Sequence, residues 1–453
     1  MTDKIKRKEQ DMSRKRFQIA ACALVALFAA SAFAGCGGSG DSGTGGDGSS
    51  ESAGGGSIDI SDFPLYEEDY DSIMYTEEEY KEKMSRPYWY GNIMYNELTL
   101  PIQYENGEAY AKLEYTPLKV INVLDQKLKT TYAEGTDYVV DAENKRLVIP
   151  QGSSVPLISE TADSGVNVPD GYELSDTPDN YTKYTIWDLG SGPFVYTESS
   201  LFYGKYLSVT YAYDLSELPA GVFNTYDPDM LTKVRQKLEA GEDISLAVIG
   251  DSITEGCSST GDNLKVDPYT PGYTRQLKEE IERVYGVSVT YTNSAKGGTK
   301  SEWPLSAAGT MALQHAKDAK PDLCVIAYGM NDGTGGVLPF EYQMNIESIM
   351  AQIKVASPEC EFILVNTFPC NPLYEREPGI FDEYLKKLEG IAEKYDDGSV
   401  KVIDMLKVGN YFLETKKYCE ISSSNVNHPN DFMHRVYAMN VMTAICDYKN
   451  IGK

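Results

Sequence analysis

Basic residues become scarce once the first 35 positions of this 453-residue chain are passed. The leader holds seven Lys/Arg and three Asp/Glu, and the other 418 positions carry 34 basic against 65 acidic residues, a net charge of −31. A surface so acidic repels phosphate backbones, which argues against nucleic acid as a partner and favours solubility and neutral substrates. Paired cysteines are missing too. The six beyond Cys36, at Cys257, Cys324, Cys360, Cys370, Cys419 and Cys446, form no Cys-x-x-Cys and no ligand pattern with histidine, so no zinc site, other metal or cofactor is called for. Cys360 and Cys370 flank an extended run that would hold them about 30 Å apart, so they cannot bridge, and buried free thiols are expected. Histidine is rarer still, with three in the chain. Two of them, His315 and His434, lack a third ligand and read as surface or packing residues. No Gly-x-Ser-x-Gly elbow occurs, which argues against an α/β-hydrolase fold.

The leader itself carries Lys4, Lys6, Arg7, Lys8, Arg14, Lys15 and Arg16, then the small-apolar run Ile19 to Ala34. A basic region, a short apolar region and small residues at the end describe an export signal, and the run is too short and alanine-rich for a comfortable membrane span. Phe33-Ala34-Gly35-Cys36 resembles the lipobox of bacterial lipoproteins, which implies lipidation of Cys36 and anchoring to the outer face of the cytoplasmic membrane. An uncleaved membrane anchor is the alternative. Both place the bulk of the chain outside the cytoplasm.

Composition divides the remainder. After the signal at 1–36, residues 37–57 are almost wholly Gly, Ser, Asp, Thr, Glu and Ala, a tether with a reach of roughly 25 Å. Residues 58–215 hold twenty of the 34 tyrosines and alternate with period two, as in Ala111 to Tyr115 and Leu207 to Tyr213. That pattern predicts strands, and an antiparallel β-sandwich, of jelly-roll type as one form, is expected there. Trp89 and Tyr90 either stack on sugars or fill its core. A linker and helix occupy 216–243. From 244 to 453, apolar strands near 244–249, 287–292, 322–328, 361–367 and 400–404 alternate with helical patterns at 273–285, 342–355 and 381–395, which implies a parallel sheet with helices on both faces.

Four segments of this last region carry chemistry. Gly250-Asp251-Ser252-Ile253-Thr254 follows the first strand, so Ser252 is expected at the carboxyl edge of the sheet, where ligands of open α/β folds bind. Asn293 to Thr299 follows the second strand and Gly329-Met330-Asn331-Asp332 the third. Asn427-His428-Pro429-Asn430-Asp431 lies near the C-terminus. A serine hydroxyl attacks an ester only if a base takes its proton, and His428 is the candidate because its ordinary pKa is near neutrality. Asp251 and Asp332 flank these positions and read as helix caps, and Asn430 or Asp431 as the cap of the last helix. Trp303 either walls an acyl pocket or packs.

In this order the four blocks resemble the SGNH, or GDSL-type, hydrolase superfamily, over roughly residues 244 to 450. The resemblance implies a flavodoxin-like parallel sheet, Ser252 as nucleophile with His428, and an oxyanion hole made of the Ser252 and Gly298 backbone N–H groups and the Asn331 side-chain amide. Such families usually carry an aspartate three residues before the histidine, where this chain has Asn425. The expected site is therefore a Ser252–His428 dyad oriented by Asn425 or a backbone carbonyl, with Asp431 as the alternative acid. Accessory β-sandwiches precede the catalytic domain in some carbohydrate esterases of this superfamily. By that likeness the expected substrate is an acylated, above all O-acetylated, glycan or small molecule. A lipid or thioester hydrolase and a non-catalytic glycan-binding surface lipoprotein are the alternatives.

Overall fold

The computed structural model describes residues 63–70, 77–178 and 182–450. The export signal, Cys36 and the tether lie outside the described residues. The N-terminal part is built from β1 (Ile93–Thr99), β2 (Ile102–Gln103), β3 (Ala109–Lys112), β4 (Pro117–Asp125), β5 (Val139–Asp141), β6 (Arg146–Val148), β7 (Ile158–Ser159), β8 (Glu173–Leu174), β9 (Lys183–Asp188), β10 (Pro193–Thr197) and β11 (Leu207–Tyr213). They form three small sheets in the orders β1-β11-β4, β5-β6-β3-β2-β7 and β10-β9-β8. Pairing is antiparallel except for β2 with β7 and β8 with β9. The alternating tyrosines turn inward: Tyr115, Tyr211 and Tyr213 are fully buried. Trp89 and Tyr90 are buried as well, Trp89 stacking on Phe223 with ring centres 4.4 Å apart. Of their two readings, the core one holds.

The C-terminal part carries β12 (Ile244–Gly250), β13 (Val289–Asn293), β14 (Leu323–Ala327), β15 (Glu361–Asn366) and β16 (Val400–Asp404), all parallel, in the order β13-β12-β14-β15-β16. Its principal helices are α1 (Thr232–Glu239), α2 (Tyr273–Tyr285), α3 (Thr310–Asp318), α4 (Pro339–Ala356), α5 (Ile380–Ala392), α6 (Met405–Leu413) and α7 (Asp431–Met442). This is the flavodoxin-like order, in which the chain steps first to one side of β12 and then to the other. The apolar run of β12 explains its interior place, between β13 and β14. Leu246, Ala247, Val248 and Ile249 lose all exposure, and each larger side chain contributes about 1.5–3 kcal/mol by leaving water.

One continuous apolar core runs from Tyr88 through β11 and β12 to Tyr448. Helix α7 shows what this does to a surface element. Every one of its twelve residues is buried, because it packs on α2 while Arg435 donates to the carbonyls of Tyr95 and Asn96 in β1. A helix covered on all sides must satisfy its polar groups internally, and Asn440 does so by accepting from Asn224 N at 2.8 Å.

Candidate active site

The site begins where β12 ends. A Cβ on Gly250 would stand 2.3 Å from the Ala327 carbonyl oxygen and 2.5 Å from Thr254 Oγ1, so only glycine lets β14 and the following turn close on β12. Asp251 then caps the short helix Ser252–Glu255 by accepting from Ile253 N at 3.0 Å, and burial pushes its carboxyl up to about 7. Ser252 is thus held, 4 % exposed, at the carboxyl edge of the sheet beside the switch point between β12 and β14.

His428 arrives from the loop between the short helix Tyr418–Ile421 and α7. Serines fix that loop: Ser424 Oγ accepts from the backbone N–H of Val426, Asn427 and His428, and Ser422 Oγ donates to the His428 carbonyl at 2.6 Å. The result brings His428 Nε2 to 2.9 Å from Ser252 Oγ. On the other side of the ring, Nδ1 lies 3.0 Å from Glu198 Oε1, a residue just past the end of β10. Burial works against the imidazolium, but the Glu198 charge and hydrogen bond outweigh it, and the His428 pKa is raised above its ordinary value.

Two loops, after β13 and after β14, flank the turn that carries Ser252. Ser294 N and Lys296 N continue the pairing onto Val248 O and Gly250 O, so the loop runs along β12. It brings Gly297 against the serine: a Cβ there would be 3.5 Å from Ser252 Cβ and 2.9 Å from Glu255 Oε2, which already accepts from Gly297 N at 2.6 Å. Gly298 comes next, with φ +73° and nothing within 4 Å of where a Cβ would be, so its requirement is conformational and the space beside it is open. Asn331, on the short helix Met330–Thr334 after β14, donates from Nδ2 to Thr299 O at 3.0 Å. Asp332 does not cap that helix. It accepts from Ser301 N and Oγ, locking the two loops together, and burial pushes its carboxyl up to about 6. A depression of about 480 Å³ opens beside Gly298, walled by Thr299, Trp303, Leu305 and Asn345. Trp303 therefore stands at a rim.

The position expected to orient His428 is occupied otherwise. Asn425, with φ +59°, turns its amide toward the carbonyls of Asp163 and Val195, at 3.2 and 3.0 Å, and the imidazole partner is Glu198 instead. The alternative acid, Asp431, takes the N–H and hydroxyl of Thr260, while Asn430 caps α7 by accepting from Met433 N. His434 is wholly buried, donates to Cys257 O at 2.9 Å and is held down to about 4 by burial, whereas His315 is exposed. Cys257 is pushed up to about 12 by burial and the nearby carboxylates, which leaves it a thiol. All six described cysteines are unpaired.

Glu198 is the residue that sequence reasoning missed. It belongs to no motif, and its separation from His428 is 230 residues. Around it stand three partly exposed aromatic rings. Trp187 stacks on Tyr374 with centres 5.7 Å apart and meets Tyr196 at 4.8 Å, and the Tyr196 hydroxyl is 3.3 Å from Glu198 Oε1.

Residues 248–436 match the GDSL-like lipase/acylhydrolase family, a span that includes Ser252, Gly298, Asn331 and His428 and leaves Glu198 outside. Similar solved structures include a two-domain esterase active on acetylated mannans, with 21% identity, a TM-score of 0.38, and coverage of 48% of this chain and 53% of that one. An acetylxylan esterase from Geobacillus stearothermophilus is similar at 19% identity over 46% of this chain and 97% of that one, with a TM-score of 0.38. The lipase/acylhydrolase from Enterococcus faecalis is similar at 20% identity over 44% and 93%, with a TM-score of 0.35. The chain spans about half the length of the two-domain esterase. No curated protein matches it.

Proposed function

We propose that this chain is a serine esterase that removes O-acyl groups, above all O-acetyl groups, from carbohydrate. The observation that carries the reading is the 2.9 Å contact between Ser252 Oγ and His428 Nε2 at the carboxyl edge of the sheet. In the mechanism, Nε2 takes the hydroxyl proton as Oγ adds to the ester carbonyl, and the oxyanion meets the N–H groups of Ser252 and Gly298 and the Asn331 amide. The imidazolium then returns its proton to the departing alkoxide, leaving acyl-Ser252. Water, deprotonated by His428, attacks the acyl carbonyl, the carboxylic acid leaves, and Ser252 regains its proton.

Geometry on the two sides of Ser252 supports the substrate class. The leaving alcohol must lie beside His428 Nε2, and Trp187, Tyr196 and Tyr374 are grouped near Glu198, on the Nδ1 side of the same ring. Partly exposed aromatic faces there suit the apolar C–H face of a sugar ring. The longer-chain reading, a lipid or thioester hydrolase, draws on one feature: the open depression beside Gly298 with Trp303 and exposed Leu305 on its wall. A non-catalytic glycan-binding lipoprotein would turn nothing over. Hydrolysis of p-nitrophenyl esters of increasing acyl length, then of acetylated glycans, separates the three. Preference for acetate and release of acetate from glycans is expected; a rise in rate with chain length would favour the lipid reading. The N-terminal signal and Cys36 support export and lipid anchoring at the outer face of the cytoplasmic membrane, above the tether of residues 37–57.

A further inference from the structure

We propose that Glu198, supplied by the β-rich N-terminal part from outside the family-matched span, is the positioning acid of a Ser252–His428–Glu198 triad. The inference rests on the Ser252–His428 reading and adds the third member. With a carboxylate at Nδ1, the proton of neutral His428 sits there and the Nε2 lone pair faces Ser252 Oγ, which is the tautomer a general base needs. When Nε2 accepts the serine proton, the imidazolium forms beside the Glu198 anion; no proton passes to the carboxylate.

The carboxylate is built into place rather than resting there. Oε2 accepts from Ser258 Oγ at 3.0 Å and Oε1 from the Tyr196 hydroxyl, so both oxygens are engaged besides the imidazole. Its neighbours Thr197 and Ser199 are fully buried and joined by a 2.6 Å hydroxyl contact, and Thr197 N donates to Ser424 O in the loop that carries His428. Asn425 completes the arrangement. Its amide donates to the carbonyl of Val195, three residues before Glu198, and to that of Asp163. An aspartate at 425 could not donate to either carbonyl and would bring its charge against two oxygens. The departure from the usual family pattern thus has a physical reason: position 425 docks the strand that delivers the acid.

The test is steady-state hydrolysis of an acetyl ester by the full chain as wild type, S252A, E198A, E198Q and E198D, with kcat, KM and the pH profile of each. E198Q keeps the shape and removes the charge. It should lower kcat by at least about a hundredfold with KM within about threefold, and shift the rise of activity to lower pH, while E198D recovers part of the rate. Wild-type kcat and an unchanged pH profile in E198Q would overturn the proposal, as would a loss that only tracks the unfolded fraction measured by circular dichroism. If E198A does not fold, the isosteric E198Q still decides. An inactive S252A beside a wild-type-like E198Q sinks the acid alone, whereas an active S252A sinks the Ser252–His428 reading beneath it.

Discussion

Lys416 Nζ lies 2.5 Å from Glu97 Oε1, and neither side chain reaches solvent. The pair links the loop after α6 to β1, and it is embedded: Glu97 also accepts from the Tyr211 hydroxyl and Glu114 N, and Lys416 donates to Lys112 O at 3.0 Å. Burial alone would lower the lysine pKa, yet the surrounding carboxylates of Glu97, Glu420 and Glu114 raise it. Removing one partner strands the other. Lys416→Met should cost about 3–5 kcal/mol in urea unfolding, and adding Glu97→Gln should restore part of that loss. A Lys416→Met protein of unchanged stability would show that the pair does not tie β1 to the C-terminal part.

Ser252 and His428 act as a unit in the proposed mechanism. Ser252→Ala, His428→Ala and the double variant should therefore lose similar, large fractions of kcat, since removing either partner disables the proton transfer that both perform. Additive losses in the double variant would mean independent roles.

In the proposed mechanism Asn331 serves the reaction only once the oxyanion forms. In the free protein its Nδ2 already donates to Thr299 O, which aims the amide without using its second hydrogen. Asn331→Ala should lower kcat by on the order of a hundredfold with little change in KM. A pure KM effect would instead assign it to substrate binding.

Activity should rise with pH as His428 becomes neutral and able to accept the serine proton. Glu198 raises the His428 pKa despite burial, so the rise in kcat/KM should be centred above the ordinary histidine value of about 6.5. A dyad without a carboxylate, the arrangement expected from the sequence, would put it near or below that value. A pH–rate profile distinguishes them.

Cys36→Ala should move the protein from the membrane fraction to soluble or unprocessed forms. A lipid-modified, membrane-bound product from that variant would rule out Cys36 as the anchor.

Local pattern was enough for much of this. The apolar run of β12, the turn at Gly250 and the alternation of strands with helices identify a parallel sheet and put Ser252 at its carboxyl edge, because period and turn chemistry act between residues close in the chain. His428 was legible from its chemistry and from the order of the blocks. Asn425 was legible only as a departure. What it does depends on the Val195 carbonyl 230 residues away, which nothing within its own loop encodes. Trp89 and Tyr90 likewise offer two readings in the sequence, and only the fold, which covers them with Phe223 and Tyr448, decides between the two.

The sequence by itself determined the strands and helices of the parallel sheet and the places of Ser252, Gly298, Asn331 and His428 along them, since each sits close in the chain to a strand end or helix start. Only the tertiary structure decided what holds the far side of His428. The acid comes from the end of β10 because a shared core and the Asn425 amide bring that strand to the site, and burial and hydrogen bonding between segments 230 residues apart leave no periodic trace in either one.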